Sequence, residues 1–203
     1  MVADDGELAA LKDDVAGCRA CPLWENATQT VFGEGPADAP LMLVGEQPGD
    51  KEDLAGRPFV GPAGLLLDRA LEDAGIDRAR TYVTNAVKHF KFVVRGRRRL
   101  HQKPTVVEIK ACHQWLEREM DTVEPAIIIA LGATAARAVF GREMKIGVNR
   151  GHMISLGSPL SGLITIHPSA LLRIPDEQVR AGAYRQFVAD LEVARSAVPA
   201  DQI

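Results

Sequence analysis

No run of apolar residues in this chain approaches the roughly 20 needed to span a bilayer as a helix. The opening stretch MVADDGELAALKDD is too acidic and too weakly apolar for a secretory signal. The expected setting is therefore the cytoplasm, with no membrane partner. Internal repeats, low-complexity tracts and a linker are also missing, so one domain is expected over 1–203, with an N-terminal helix over 1–17. Cysteine is scarce and odd in number: three thiols cannot all enter intramolecular disulfides, and in the cytoplasm metal binding is the better use for them. A strong charge of one sign is lacking too. The net charge of −3 argues against indiscriminate attraction to polyanions, yet it averages acidic termini with a basic stretch from Lys88 to Lys103. Such a stripe suits a protein that turns one face to phosphates, or it is a solvated charged loop.

What is present is the composition of a compact soluble protein, 46% hydrophobic and 25% charged. Short all-apolar runs recur at Leu41–Gly45, Thr81–Val87 and Ala126–Gly132, and GLITIHP (Gly162–Pro168) is a fourth. They read as buried strands of a parallel sheet. Helical patterns lie between them: Pro62–Gly75 with proline in its first turn, Thr105–Thr122 with capping-box spacing of Thr105 and Glu108, ATAARAVFG, and a last helix from about Asp176 to Ser196. The alternation predicts a three-layer α/β/α sandwich around a mainly parallel four-stranded sheet. Ligands in such folds bind at the carboxyl ends of the strands. That rule selects GEQPG, NAVKH, GATAA and HPSALLR.

Each of these segments carries residues with chemistry. Glu46 leaves a buried strand and aims a carboxylate at the cleft, for catalysis or as an acceptor for neighbouring amides. Phe59, in the Gly/Pro-rich segment Gly45–Gly64, offers a stacking face for a planar base. The carboxamide of Asn85 has the donors and the acceptor that reading a base edge requires. His167, before Pro168, can donate to charge developing on a leaving group. Ser169 and Arg173 follow as candidate phosphate contacts, and the small residues of GATAA open a helix with free amides. Cys18 and Cys21 form a C-x-x-C pair. With Cys112 and either His89 or His113 they make a Cys₃His set suited to zinc or an iron–sulfur cluster.

Taken in order, the upstream C-x-x-C, GEQPGDKEDLAGRPFVGPAG, YVTNAVK, LGATA and HPSALLR resemble the iron–sulfur uracil-DNA glycosylases over nearly the whole chain. His89 stands where that family commonly has cysteine, and KFVVRGRRRLHQKP replaces a shorter proline-rich segment. Both departures resemble the UdgX branch, whose members excise uracil and become covalently joined to the abasic site. The resemblance implies that Phe59 stacks on a flipped uracil, Asn85 binds its edge, Gln47 lies in the pocket, His167 faces the leaving base and Glu46 assists cleavage. It implies a [4Fe–4S] cluster on Cys18, Cys21, His89 and Cys112, with His101 as the nucleophile. The implied partner is uracil-containing DNA, single-stranded or double-stranded, with free uracil as product and a monomer as the working form. The arginine-rich loop over 91–104 is expected to hold phosphates through Arg97, Arg98, Arg99 and Lys103 and to disfavour the His101 imidazolium. Two other readings are an ordinary multiple-turnover glycosylase and a noncatalytic uracil-DNA binding module.

Overall fold

The computed structural model describes residues 5–199. The first four positions of the expected N-terminal helix, and positions 200–203 of the expected domain, lie outside them. The chain order is α1 (Asp5–Ala16), β1 (Leu41–Gly45), α2 (Asp50–Ala55), α3 (Pro62–Asp73), β2 (Thr81–Asn85), β3 (Phe92–Arg95), β4 (Arg98–His101) and α4 (Val106–Val123). There follow β5 (Ile127–Leu131), α5 (Ala133–Phe140), α6 (Ile146–Asn149), β6 (Met153–Gly157), β7 (Leu160–Thr165), α7 (Pro168–Leu172) and α8 (Glu177–Ser196).

The main sheet has the order β2-β1-β5-β7-β6. Its first four strands are parallel, in register Leu41↔Thr81, Leu41↔Ile127 and Ile127↔Ser161. Every residue of β1, β2 and β5 is buried, as strands covered on both faces require. Successive side chains feed opposite layers: Met42 and Val44 pack with α1, α4 and α5, while Leu41 and Leu43 pack with α3, α7 and α8. The expected sandwich is present with one strand more than the four predicted. The addition is β6, an antiparallel edge strand on β7, whose MISLG alternates half-buried and exposed residues and contains no apolar run. No helix among the described residues is long and apolar enough to cross a membrane.

A second correction concerns 91–104, expected as an arginine-rich loop. Much of it is a β-hairpin, β3 and β4 pairing Phe92↔His101 and Arg95↔Arg98 around Gly96, whose φ is +62°. The β-branched Val93 and Val94 favour strand, and glycine at the first position of a two-residue connection favours the tight turn. The arginines are therefore placed on a ribbon with two faces.

Behind the strand ends lies an ion pair that sequence reading did not find. Lys88 and Glu119 are both fully buried and in contact. Lys88 Nζ also donates to Thr84 Oγ1 at 2.7 Å and to the carbonyl of Asn85 at 2.8 Å, while Glu119 Oε1 accepts from Tyr82, Thr84 and the Gly33 amide. With these donors in place the pair is satisfied; with one partner removed, a buried charge is left alone. Lys88→Met is expected to cost about 3–5 kcal/mol of stability. A fall in the denaturant midpoint at unchanged slope would register it.

Candidate active site

Gly45 ends β1, and the geometry leaves no room for anything larger. A Cβ at position 45 would lie 2.3 Å from Asn85 Oδ1 and 2.8 Å from the Phe59 ring. Glycine thus lets the end of β2 and the loop after α2 close on the same point. Phe59 is held there in a left-handed conformation, φ 56°, rare for an aromatic residue. Its amide donates to Glu52, whose other oxygen accepts from Gly49, and a Cβ at Gly64 would fall 1.5 Å from the Phe59 carbonyl. The surroundings therefore over-determine the strained residue, as expected of a functional position. The rings of Phe59 and His167 lie 26° from parallel with centroids 6.3 Å apart.

Asn85 is 2% exposed, and its side-chain Nδ2 has no hydrogen-bond partner. An amide donor buried without a partner costs about 1–3 kcal/mol, a penalty that a bound ligand with a matching carbonyl would offset. Gly45→Ala is expected to displace this carboxamide and the Phe59 ring together. Binding of the uracil DNA that the sequence resemblance implies should weaken by at least about tenfold while the melting temperature moves far less, a contrast that titration alongside thermal unfolding would reveal.

His167 caps α7, and its Nδ1 accepts from the Ser169 amide at 3.1 Å, with Ser169 Oγ at 2.8 Å. A neutral ring bound this way carries its proton on Nε2, the nitrogen left to donate elsewhere. Burial, with Arg173 and His101 nearby, holds its pKa down to about 4 against the opposing pull of Glu46. At neutral pH the ring is therefore an uncharged donor. Ser169, expected at phosphates, lies against His167, and Arg173 Nη1 reaches Ser169 Oγ at 3.3 Å.

The strands β1 and β5 are neighbours whose onward connections run in opposite directions, which places a crevice between their carboxyl ends. Glu46, after β1, and Thr134, in the first turn of α5, meet across it through a hydrogen bond from the threonine hydroxyl. The other oxygen of Glu46 lies 3.2 Å from His101 Nε2. Burial pushes the Glu46 pKa up, but the bonds from His101 and Thr134 and the fields of both histidines outweigh it and hold the carboxyl below its usual value. A carboxylate and an imidazole thus share one place at the carboxyl edge of the sheet.

The hairpin is fixed there by two devices. Gln47, expected inside the uracil pocket, donates through Nε2 to the carbonyls of Lys91 and Gln102 at 3.2 and 2.9 Å and accepts from the Lys91 amide at 3.1 Å. One side chain therefore clamps both ends of the ribbon. Arg99, expected at DNA phosphates, is instead held by Asp50 and Asp53, each at 2.6 Å, with its guanidinium over the Phe90 and Phe92 rings. Its positive charge is thus largely offset near His101. Arg97, Arg98 and Lys103 are exposed. Thr134, Asp50 and Asp53 carried no signal that assigned them beforehand; Thr134 lay within GATAA, where only backbone amides were considered.

The proposed metal ligands come from three segments. Cys112 is buried in α4 and accepts from the Lys88 amide at 3.2 Å, and Cys18 accepts from the Trp115 indole at 3.1 Å. Burial raises the Cys21 thiol and pushes Cys112 up to about 12, and the other cysteine sulfurs contribute to both shifts. Thiols and an imidazole are the donor types of an iron–sulfur or zinc centre, and the N–H groups of Lys88 and Trp115 already donate to two of the sulfurs. His89 is buried, and burial lowers its pKa against the attraction of Asp53, which favours the neutral, ligating form. His113, the other candidate, pairs with Glu117 at 3.2 Å. Among the described residues, no group of three or more His, Cys, Asp or Glu is assembled as a metal-holding set. The donor chemistry fits, but the coordination geometry is not closed.

A parallel sheet whose strand ends bring together a buried aromatic ring, an orphaned carboxamide, a neutral histidine and a carboxylate has the parts to hold a planar ligand with a carbonyl edge beside an ionised acid. Residues 32–192 match the family model of the Uracil DNA glycosylase superfamily, and the chain belongs to that superfamily. Within it, the chain is 38% identical over 187 residues to the type-4 uracil-DNA glycosylase of Thermotoga maritima, covering 92% of each protein. It is 36% identical over 176 residues to that of Pyrobaculum aerophilum, covering 83% of this chain and 86% of the relative. The type-5 uracil-DNA glycosylase of Thermus thermophilus is 31% identical over 151 residues, 65% of this chain and 64% of that protein.

Proposed function

We propose that this chain flips uracil out of DNA, cleaves its glycosidic bond and is then joined through His101 to C1′ of the abasic sugar, in the manner of the UdgX branch. The 3.2 Å approach of His101 Nε2 to Glu46 Oε1, beside the unpartnered Asn85 amide, carries the reading. Asn85 and the Nε2–H of His167 donate to the base as its C1′–N1 bond breaks and the electron pair leaves with uracil. Glu46, held ionised, faces the cationic sugar. The Nε2–H of His101 passes its proton to Glu46 as the electron pair this frees on Nε2 bonds to C1′, and the uracil anion takes up a proton from solvent.

The resulting N-glycoside has no activated leaving group, unlike the ester formed by a carboxylate nucleophile. The reading therefore predicts a single turnover. Incubation with a uracil-containing single-stranded oligonucleotide should release about one uracil per protein molecule and then stop, with a protein–DNA band that survives denaturation. Sustained turnover without such a band would favour an ordinary glycosylase; no released uracil would favour a binding module.

The same reading assigns Cys18, Cys21, His89 and Cys112 to a [4Fe–4S] cluster. Bound there, it would tie the N-terminal segment, the end of β2 and α4 together. Purified protein should be coloured, with about four iron and four sulfide per chain; a colourless zinc protein would contradict the assignment. The setting that goes with this reading is a monomeric, single-domain enzyme of the cytoplasm.

A further inference from the structure

The geometry points to Thr134 as a positioning residue for excision: its hydroxyl occupies one oxygen of Glu46 and so keeps the other turned to His101. The role rests on the uracil-excision reading above. Thr134 is the second residue of α5, and the start of that helix is pinned to the end of β7. Gly132, just before it, adopts φ +92°, a conformation that a side chain rarely tolerates, and its amide donates to the Thr165 carbonyl at 2.9 Å. A Cβ on Gly132 would lie 3.3 Å from the Cβ of His167. Ala135 and Ala136, both fully buried, let the helix lie close on the sheet. The turn that carries Thr134 is thereby held against the crevice that Glu46 enters.

Inside a helix, a threonine hydroxyl commonly turns back to a carbonyl of the preceding turn. Thr134 stands in the first turn, so no helical turn precedes it, and its hydroxyl reaches across 88 positions to Glu46 instead. Among the described residues that hydroxyl has no other hydrogen-bond partner. An ionised carboxylate only accepts, so the direction of the bond is fixed from Thr134 to Glu46 Oε2. Glu46 has need of such a restraint. The last torsion of a glutamate is broad and roughly two-fold, so a free carboxylate exchanges its oxygens easily. With Oε2 held by Thr134, Oε1 is the oxygen left at 3.2 Å from His101 Nε2. The charged or titratable groups that face the carboxylate are His101, from β4, and His167, from the turn before α7. With them, the Thr134 bond opposes burial and holds the carboxyl below its usual value.

Two substitutions in the full chain test this. Thr134→Val keeps the branched shape and removes the hydroxyl, whereas Thr134→Ser keeps the hydroxyl. Uracil release from a single-stranded uracil oligonucleotide is followed in single turnovers, over a range of protein concentration and pH. Release is the step to read because the attack by His101 follows it. Thr134→Val should slow the saturated rate by about ten- to hundredfold and leave the half-saturating concentration within about twofold of the wild type. The acid side of its rate profile should also move to higher pH. The carboxyl then lacks a donor that favours its ionised form, its pKa rises, and the active carboxylate is lost sooner as pH falls. Thr134→Ser should restore both rate and profile. A valine variant that is slow with an unmoved profile, or that serine does not rescue, would indicate a packing defect and overturn the role. A valine variant with the wild-type rate would overturn it too, and either result would leave the excision reading standing. A wild-type protein that releases no uracil would remove both.

Discussion

His101→Gly is expected to abolish the denaturant-resistant protein–DNA band while uracil release continues past one equivalent. The cause is competition for C1′. An imidazole held against Glu46 at 3.2 Å competes as an intramolecular reactant, and well-oriented intramolecular reactants reach effective concentrations of roughly 10⁵ M or more, far above that of water. With the side chain removed, the space beside the carboxylate admits water, and Glu46 receives the proton from that water instead. Hydrolysis then gives a free abasic site and regenerates the enzyme. The hairpin should keep its place in the variant, because Gln47 and the Arg99 contacts with Asp50 and Asp53 hold it independently of the histidine. Gel analysis with a tenfold excess of oligonucleotide separates the outcomes. A persistent adduct in the variant would assign the nucleophile elsewhere.

Glu46→Gln is expected to slow uracil release by about 10²–10⁴ and to slow adduct formation in parallel. Glutamine keeps the shape and the Thr134 bond but loses the negative charge beside the forming sugar cation, and it cannot accept the His101 proton. Because the carboxyl pKa lies below its usual value, the wild-type group is ionised throughout the neutral range and the whole charge is at stake. Affinity for an oligonucleotide carrying 2′-fluorodeoxyuridine, whose glycosidic bond resists cleavage, should change little, since in this reading Glu46 faces the sugar and not the base edge. Single-turnover kinetics of both steps provide the check. Loss of the adduct with release at the wild-type rate would confine Glu46 to the second step.

Much of this site was legible because parallel strands announce themselves. LMLVG, TYVTN and IIIAL are buried on both faces, so their sequences are continuous runs, and the residues after them sit at the sheet's carboxyl edge by topology alone. Glu46, Asn85 and His167 could be picked out for that reason. β6 was missed because an edge strand wet on one side alternates and carries no run. Helix α2 was missed because it is only six residues long inside a segment punctuated by glycine and proline. Pairing between distant side chains was the least legible. Nothing local distinguishes Arg99 from Arg97 or Arg98, yet it alone alternates onto the inner face of the hairpin and meets Asp50 and Asp53, some fifty positions away. Gln47 likewise gives no local sign that its side chain clamps the ribbon.

The most direct test of the covalent reading is mass mapping of the adduct itself. Wild-type protein is reacted with a uracil-containing oligonucleotide, denatured and digested with nuclease and protease, and the modified peptide is sequenced by fragmentation. The mechanism predicts a deoxyribose-phosphate remnant on the imidazole of His101, with the base absent. The same remnant on Glu46, on Lys103 or on any other side chain, or no modified peptide at all, would contradict it.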